Sequence, residues 1–171
     1  GFLGVNVTFP VKQAVMPLLD EVSDDARLIG AVNTVRLTPD GRAIGLTVNS
    51  FNTVSLDPPL VLWSLSLASP SLDAFRRASH FAVNMLAADQ QALSERFARR
   101  NSDKFAGIDW REGLGGAPLL PGCCAVLECR NEAQHAGGDH LIFIGRVEGC
   151  SRQHKAPLLF HGGRYRVLGD A

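Results

Sequence analysis

The chain has 171 residues, 46% of them hydrophobic and 20% charged, a composition that excludes a disordered polypeptide and supplies enough apolar side chains for a core. Its 17 Lys and Arg balance 17 Asp and Glu, so no overall field draws it to nucleic acid or to an anionic membrane. No apolar run approaches the roughly 20 residues of a spanning helix, and the first residues lack a basic-then-apolar leader.

Gly1 in place of an initiator Met marks a trimmed or incomplete start. Leu3–Phe9 reads as a short strand, and Pro10 opens a helix, because its missing N–H has no partner to lose at a first helical position. Val11, Ala14, Val15, Leu18 and Leu19 repeat at the spacing of one helical face. Ser23 caps a second helical turn, with Asp24 and Asp25 at its positive end. Ala31–Leu37 and Ala43–Asn49 flank Thr38-Pro39-Asp40-Gly41-Arg42, a hairpin signal in which Pro39 fixes its own φ and Gly41 supplies the left-handed position.

Leu60–Leu67 is a nearly unbroken apolar run between Pro58-Pro59 and Ser69-Pro70, the pattern of a strand buried on both faces. Ser71–Ser79 carries Leu72, Phe75 and Arg76 at helical spacing, and His80–Leu86 returns to strand. Asp89–Arg100 is the clearest helix, with Leu93, Phe97 and the stem of Arg96 on one side. Asn101–Leu120, rich in Gly and Asp, reads as a surface excursion. Cys123–Glu132 and His140–Val147 form a second hairpin around Gly137-Gly138, and Leu158–Phe160 and Tyr165–Leu168 close the chain as short strands. Six or more strands with few, short helices argue for a closed or half-closed antiparallel barrel.

Chemistry has few carriers. Cys123, Cys124, Cys129 and Cys150 show no Cys-x-x-Cys spacing and read as reduced packing thiols in a cytoplasmic protein. His135 and His140, five apart across a turn, offer no metal set. Arg96, Arg99 and Arg100 form a solvated helix face, with a phosphate contact from Arg96 a lesser alternative. There is no Gly-x-Gly-x-x-Gly turn, so a nicotinamide nucleotide would bind without a Rossmann unit. The stretch Gly45–Leu60 packs seven small polar residues between apolar strands. It is either a polar loop satisfying its own backbone or a ligand cradle, in which hydroxyls and backbone amides surround a phosphate and a flat heterocycle.

Gly45–Leu60, followed by Val61–Leu67, Phe81–Leu86, Gly138-Asp139-His140-Leu141-Ile142-Phe143-Ile144-Gly145-Arg146-Val147 and Pro157-Leu158-Leu159-Phe160-His161-Gly162-Gly163-Arg164-Tyr165, resembles the short-chain flavin reductase family. The likeness runs from about Arg42 to Leu168, with the motifs in the family's order. It implies a mainly β fold with short helices, a split β-barrel of FMN-binding type, assembled as a homodimer with flavin near the subunit interface. Carried over by position, Thr47, Val48, Asn49 and Ser50 line the isoalloxazine edge; Ser55, Leu56, Asp57 and Pro58 complete the cradle; Ser69 and Ser71 lie near the phosphate. His140 is the catalytic candidate on the nicotinamide side, and His161 and Tyr165 are further cofactor contacts. The other reading of His140 is a turn residue bonded to a nearby carboxylate. The implied reaction passes a hydride from NADH or NADPH to FMN or FAD, and the reduced flavin leaves for a partner monooxygenase; the protein supplies stacking, orientation and hydrogen bonds.

Residues 3–36 differ. Gly4-Val5-Asn6-Val7-Thr8-Phe9-Pro10-Val11-Lys12, Leu18-Leu19-Asp20-Glu21 and Ile29-Gly30-Ala31-Val32-Asn33-Thr34-Val35 resemble the substrate-binding domain of shikimate dehydrogenase. That resemblance makes Lys12 the match of a catalytic lysine and sets Asn33 and Thr34 at or beside a substrate site. The Asp that partners the lysine in that family is missing from Leu46-Thr47-Val48-Asn49-Ser50, and the Rossmann domain has no counterpart, so Lys12 reads as an exposed helix residue. The chain therefore divides into an atypical α/β segment, 1–37, and a split-barrel domain, 38–171. Two alternatives stand beside the reductase: a non-enzymatic flavin-binding barrel, and a fragment derived from shikimate dehydrogenase.

Overall fold

The computed structural model describes residues 32–37, 41–99 and 103–166. The strand, helix and capped turn expected before Ala31, Lys12 among them, lie outside the described residues, and so does most of the 1–37 segment. β1 (Val32–Leu37) and β2 (Ala43–Val48) form the expected hairpin, Leu37 opposite Ala43, and Gly41 takes φ 77°, where a side chain would be strained. β3 (Asn52–Leu56) pairs with β4 (Pro59–Ser66), α1 (Leu72–Arg77) leads to β5 (His80–Met85), and a 3₁₀ turn at Ala88–Gln90 leads into α2 (Gln91–Ala98). The pair β6 (Arg111–Glu112) and β7 (Pro118–Leu119) precedes the long ribbon of β8 (Ala125–Gly137) and β9 (His140–Arg152), and β10 (Leu159–His161) pairs with β11 (Arg164–Arg166).

Seven strands form one antiparallel sheet in the order β2-β1-β5-β8-β9-β4-β3. Laid flat at about 4.8 Å per strand, its outer strands would stand about 29 Å apart. Yet β2 and β3 are those outer strands, and residues 49–51 alone join them, a link of roughly 14 Å at full stretch. The sheet therefore curls until its two edges face each other, giving a mainly β, half-closed barrel. The curl is staggered. The ladder leaving Val48 passes through Val32, Met85 and Ala125 to Arg152, whereas Ser64, hydrogen bonded to Ser50, pairs with Ile142, ten residues earlier on β9. Such a stagger is what tilted barrel strands require.

Three expectations change. Gly45–Leu60 is not a loop: β3 runs through it, because Thr53 and Val54 are β-branched and an edge strand leaves its polar side chains in water. β4 is buried on one face only, Val61, Trp63 and Leu65 pointing inward while Leu60, Leu62, Ser64 and Ser66 are half-buried on the other. The strand covered on both faces is β5, whose Phe81 and Val83 enter the barrel while Ala82 and Asn84 lie under a second layer. That second layer is the third change. The end of the supposed surface excursion, Ala117–Leu120, is buried against β5.

Inside the barrel, Trp63 stacks on Phe143 at 4.5 Å and meets Phe75 and Phe81 edge-on at 5.0 and 5.8 Å. Each such ring removed from water contributes about 1.5–3 kcal/mol. α1 delivers Phe75 as the plug, and Asn131 of β8 holds the helix end by donating to the carbonyls of Phe75 and Ala78. Thr34, buried between Leu46 and Val83, is part of the barrel wall rather than of a surface substrate site. Outside the barrel, Phe97 of α2 packs with Leu119, Leu120, Cys123 and Leu158, and Lys104 donates to the carbonyls of Gly45 and Phe97, tying β2 to α2. Burial holds the Lys104 ammonium below its usual pKa, and pushes the thiols of Cys123 and Cys129 up to about 12.

Candidate functional site

The residues singled out in the sequence fall into three groups. The first lies on the outer side of β2. Side chains alternate across a strand, so Ile44, Leu46 and Val48 pack toward the barrel interior while Thr47 faces α2, where its hydroxyl donates to the carbonyl of Ser94 at 2.8 Å. Tyr165 reaches the same residue from β11, its phenol donating to Ser94 Oγ at 2.9 Å. Thr47 and Tyr165 are thus joined through Ser94, a fully buried residue. Tyr165 also borders a cavity of about 370 Å³, together with Ala88, Gln91, Leu158 and Arg166. Val48 keeps its side chain in the core, which leaves only its backbone for a ligand. His161 sits on β10, opposite Arg164.

The second group gathers where β4 ends. Asn49 is exposed, and Ser50 spends its hydroxyl on the backbone of Ser64. Ser66, two residues on, is the cross-strand partner of His140, and the amide of Leu67 donates to the carbonyl of Asp139 at 2.9 Å. Ser66 Oγ accepts from the amide of Ala68 and Ser69 Oγ from that of Ser71, so neither contact uses the hydroxyl hydrogen. Ser71 opens α1 with no cap bond from its side chain. His140 Nδ1 lies 2.8 Å from Asp139 Oδ1, and this hydrogen bond holds the Asp139 carboxyl below the usual carboxylate range. The carboxylate contact of the turn-residue reading is therefore present. It orients the ring and leaves the side chain 43% exposed.

The third group is the turn between β3 and β4. Ser55 is half-buried, Leu56 is 91% exposed, Asp57 is exposed, and the Asp57–Pro58 peptide is cis. Leu56 pairs with Pro59, seven residues before Ser66, so this turn stands about 23 Å from the second group at 3.3 Å per strand residue.

Sequence reasoning missed Ser64, Ser66 and Ser94. The first two had a signal, since Ser at 64 and 66 breaks the apolar run at a spacing of two, the mark of one half-exposed face. Ser94 sits three residues before Phe97 on the same helix face, and its small polar side chain gave no hint of burial. Arg96 donates to the carbonyl of Ala106. Among the described residues no cluster of three His, Cys, Asp or Glu is placed to hold a metal ion, and no helix is long and apolar enough to cross a membrane.

Against known proteins, the flavin reductase like domain matches residues 27–169, and the shikimate dehydrogenase substrate binding domain matches residues 1–35. The chain is 46% identical over 136 residues to the FMN reductase (NADH) SmoA of Agrobacterium fabrum, covering 80% of this chain and 77% of that protein. It is 43% identical over 135 residues to HsaB of Rhodococcus jostii, the reductase subunit of a flavin-dependent monooxygenase, covering 78% and 69% of the two. Among solved structures, the NADH:FAD oxidoreductase SgcE6 of Streptomyces globisporus, in complex with NAD and FAD fragments, superposes with a TM-score of 0.78 at 36% identity, covering 82% of this chain and 86% of that one. With a family match across the whole sheet and relatives of this identity over most of their length, the chain belongs to the flavin reductase-like domain family.

Proposed function

We propose that this protein is an NAD(P)H-dependent flavin reductase that takes FMN or FAD and supplies the reduced flavin to a partner monooxygenase. The observation that carries the reading is the juxtaposition at the end of β4. Ser66 stands opposite His140 at the end of a half-buried apolar strip made by Leu62, Ile142 and Ile144, and Ser69, whose amide donates to the Ser66 carbonyl, adds a second hydroxyl in the turn that follows. A flavin presents the matching features, a flat apolar ring system and a chain ending in phosphate. The relatives support it: one is named an FMN reductase using NADH, one a monooxygenase reductase subunit, and one solved relative holds NAD and FAD fragments.

When bound, the flavin accepts the nicotinamide hydride and so supplies the redox chemistry. The chain's own part is to bind and orient. Asn49 and the backbone of Val48 border the ring edge, Ser69 and Ser71 lie toward the phosphate, and His140 faces the nicotinamide. Thr47 and Tyr165, joined through Ser94, and His161 on the neighbouring β10 add further contacts to the cofactor. The turn Ser55–Pro58, about 23 Å away along β4, lies beyond the span of an isoalloxazine ring seated at the end of β4 in the same copy. We therefore assign it to the flavin of the second copy in a homodimer, which also gives the exposed Leu56 a partner. The four free thiols, three of them buried, support a reducing, cytoplasmic setting.

The test is NADH or NADPH oxidation by purified protein with and without added FMN or FAD, alongside a flavin-binding titration. Flavin-dependent oxidation is expected. Saturable flavin binding without oxidation would leave a non-enzymatic flavin-binding barrel. Shikimate-dependent NADP reduction, expected to be absent, would revive the fragment reading suggested by residues 1–35.

A further inference from the structure

We infer that Asp139 is a positioning residue that fixes the tautomer of His140, and with it the atom the ring offers to the nicotinamide; the inference rests on His140 facing the nicotinamide as proposed above. Gly137 pairs with His140 across the tip of the β8–β9 ribbon, so Gly138 and Asp139 form a two-residue turn, with Gly138 at φ 68°. The turn is held from outside as well. The amide of Leu67 donates to the Asp139 carbonyl, and Ser66 pairs with His140, so the loop leaving β4 is fastened to the ribbon tip. Asp139 Oδ1 and His140 Nδ1, 2.8 Å apart, therefore meet with little chain entropy left to lose.

The chemistry of the pair decides the proton. An ionised carboxylate only accepts, so the hydrogen between the two atoms belongs to Nδ1. A neutral imidazole carries one hydrogen, which leaves Nε2 with a lone pair and no N–H. Nε2 makes no hydrogen bond among the described residues, and Asp139 is the ionisable group in contact with the ring. His140 thus presents an acceptor. A nicotinamide carboxamide supplies the N–H donor that suits it. A ring in the opposite tautomer would present a donor toward that N–H and lose the bond.

The experiment uses the full-length chain labelled with ¹⁵N, its His140 imidazole signals identified by their loss in H140Q. Long-range ¹H–¹⁵N spectra report the tautomer, and NADH oxidation at saturating FMN separates KM from kcat. Wild type should show the Nδ1–H form, and D139A the Nε2–H form. D139A should raise KM for NADH about fivefold, the effect of one hydrogen bond, with kcat within about twofold and FMN affinity unchanged. D139N keeps a carbonyl able to accept from Nδ1 and should stay near wild type. A wild-type Nε2–H signal overturns the inference, and so does an unchanged KM in D139A where H140Q raises it. An unchanged KM in H140Q removes the placement of His140 itself, and with it any role for Asp139 through that ring.

Discussion

The hydroxyl of Ser50 donates to the carbonyl of Ser64 and accepts from its amide, at 3.2 and 3.0 Å, so one side chain meets both backbone groups of a residue fourteen positions away. β2 and β3 do not pair with each other, and this double contact fastens the connection between them to β4 where a ladder is missing. Edge backbone groups left without partners are costly. Ser50→Ala should therefore lower stability by about 1–3 kcal/mol and the melting temperature by several degrees. An unchanged melt would show that the seam is held by packing of Phe51 and Val48 alone.

Asn84 is the other polar clamp. Fully buried on β5, it accepts from the amide of Leu120 at 2.8 Å and donates toward the carbonyl of Pro118 at 3.4 Å. Asn84→Ala strands a buried amide, at a cost of about 1–3 kcal/mol. Hydrogen exchange at Leu120 should accelerate more than exchange at Val83, inside the barrel; equal acceleration at both would mean that the two layers unfold together.

Gly145 faces the barrel interior opposite Val61, and a Cβ placed on it would lie 2.6 Å from Cζ of Phe81 and 3.0 Å from Cβ of Cys129. Gly145→Ala overpacks the core and should destabilise by about 1–3 kcal/mol. Phe81→Leu in the same chain frees that space, so the double variant should be more stable than the sum of the two single changes predicts. Strict additivity in a denaturant titration would disprove the clash.

The thiols make a pH prediction. Cys123 and Cys129 have their pKa raised by burial from 9.0 to about 12, and that of Cys124 is raised in the same direction. The thiolate is the reactive form, so a thiol reagent at pH 8 should modify exposed Cys150 rapidly and the other three only on unfolding. A raised folded-state pKa also sets the sign of the linkage. The folded state keeps protons that the unfolded chain gives up, so stability is complete below about pH 9 and falls as pH rises toward 12. A melting temperature flat across that range would contradict it.

Ser69→Ala tests the flavin placement. Loss of one hydroxyl donor should weaken FMN binding about fivefold and leave the melt of the flavin-free protein unchanged, since that hydroxyl accepts only the local amide of Ser71. Equal FMN affinity in variant and wild type would move the phosphate elsewhere.

What the sequence determined by itself was local. Gly41 leads into β2 with the left-handed backbone that needs glycine, and Gly138 does the same at the ribbon tip; neither depends on the rest of the chain. The order of strands and the family motifs were also legible, since the resemblance needs only residue identity along the chain. What tertiary structure alone decided was cover and reach. Nothing in the run Leu60–Leu67 states that its second face stays half-open, because that depends on α2 and Ala117–Leu120 packing over β5 instead. Nor could spacing reveal that Thr47 meets Tyr165 through Ser94, or that Asp57 and Ser69 stand at opposite ends of one strand. Those relations arise when a seven-stranded sheet curls with a ten-residue stagger, and the stagger is set by pairing between distant strands.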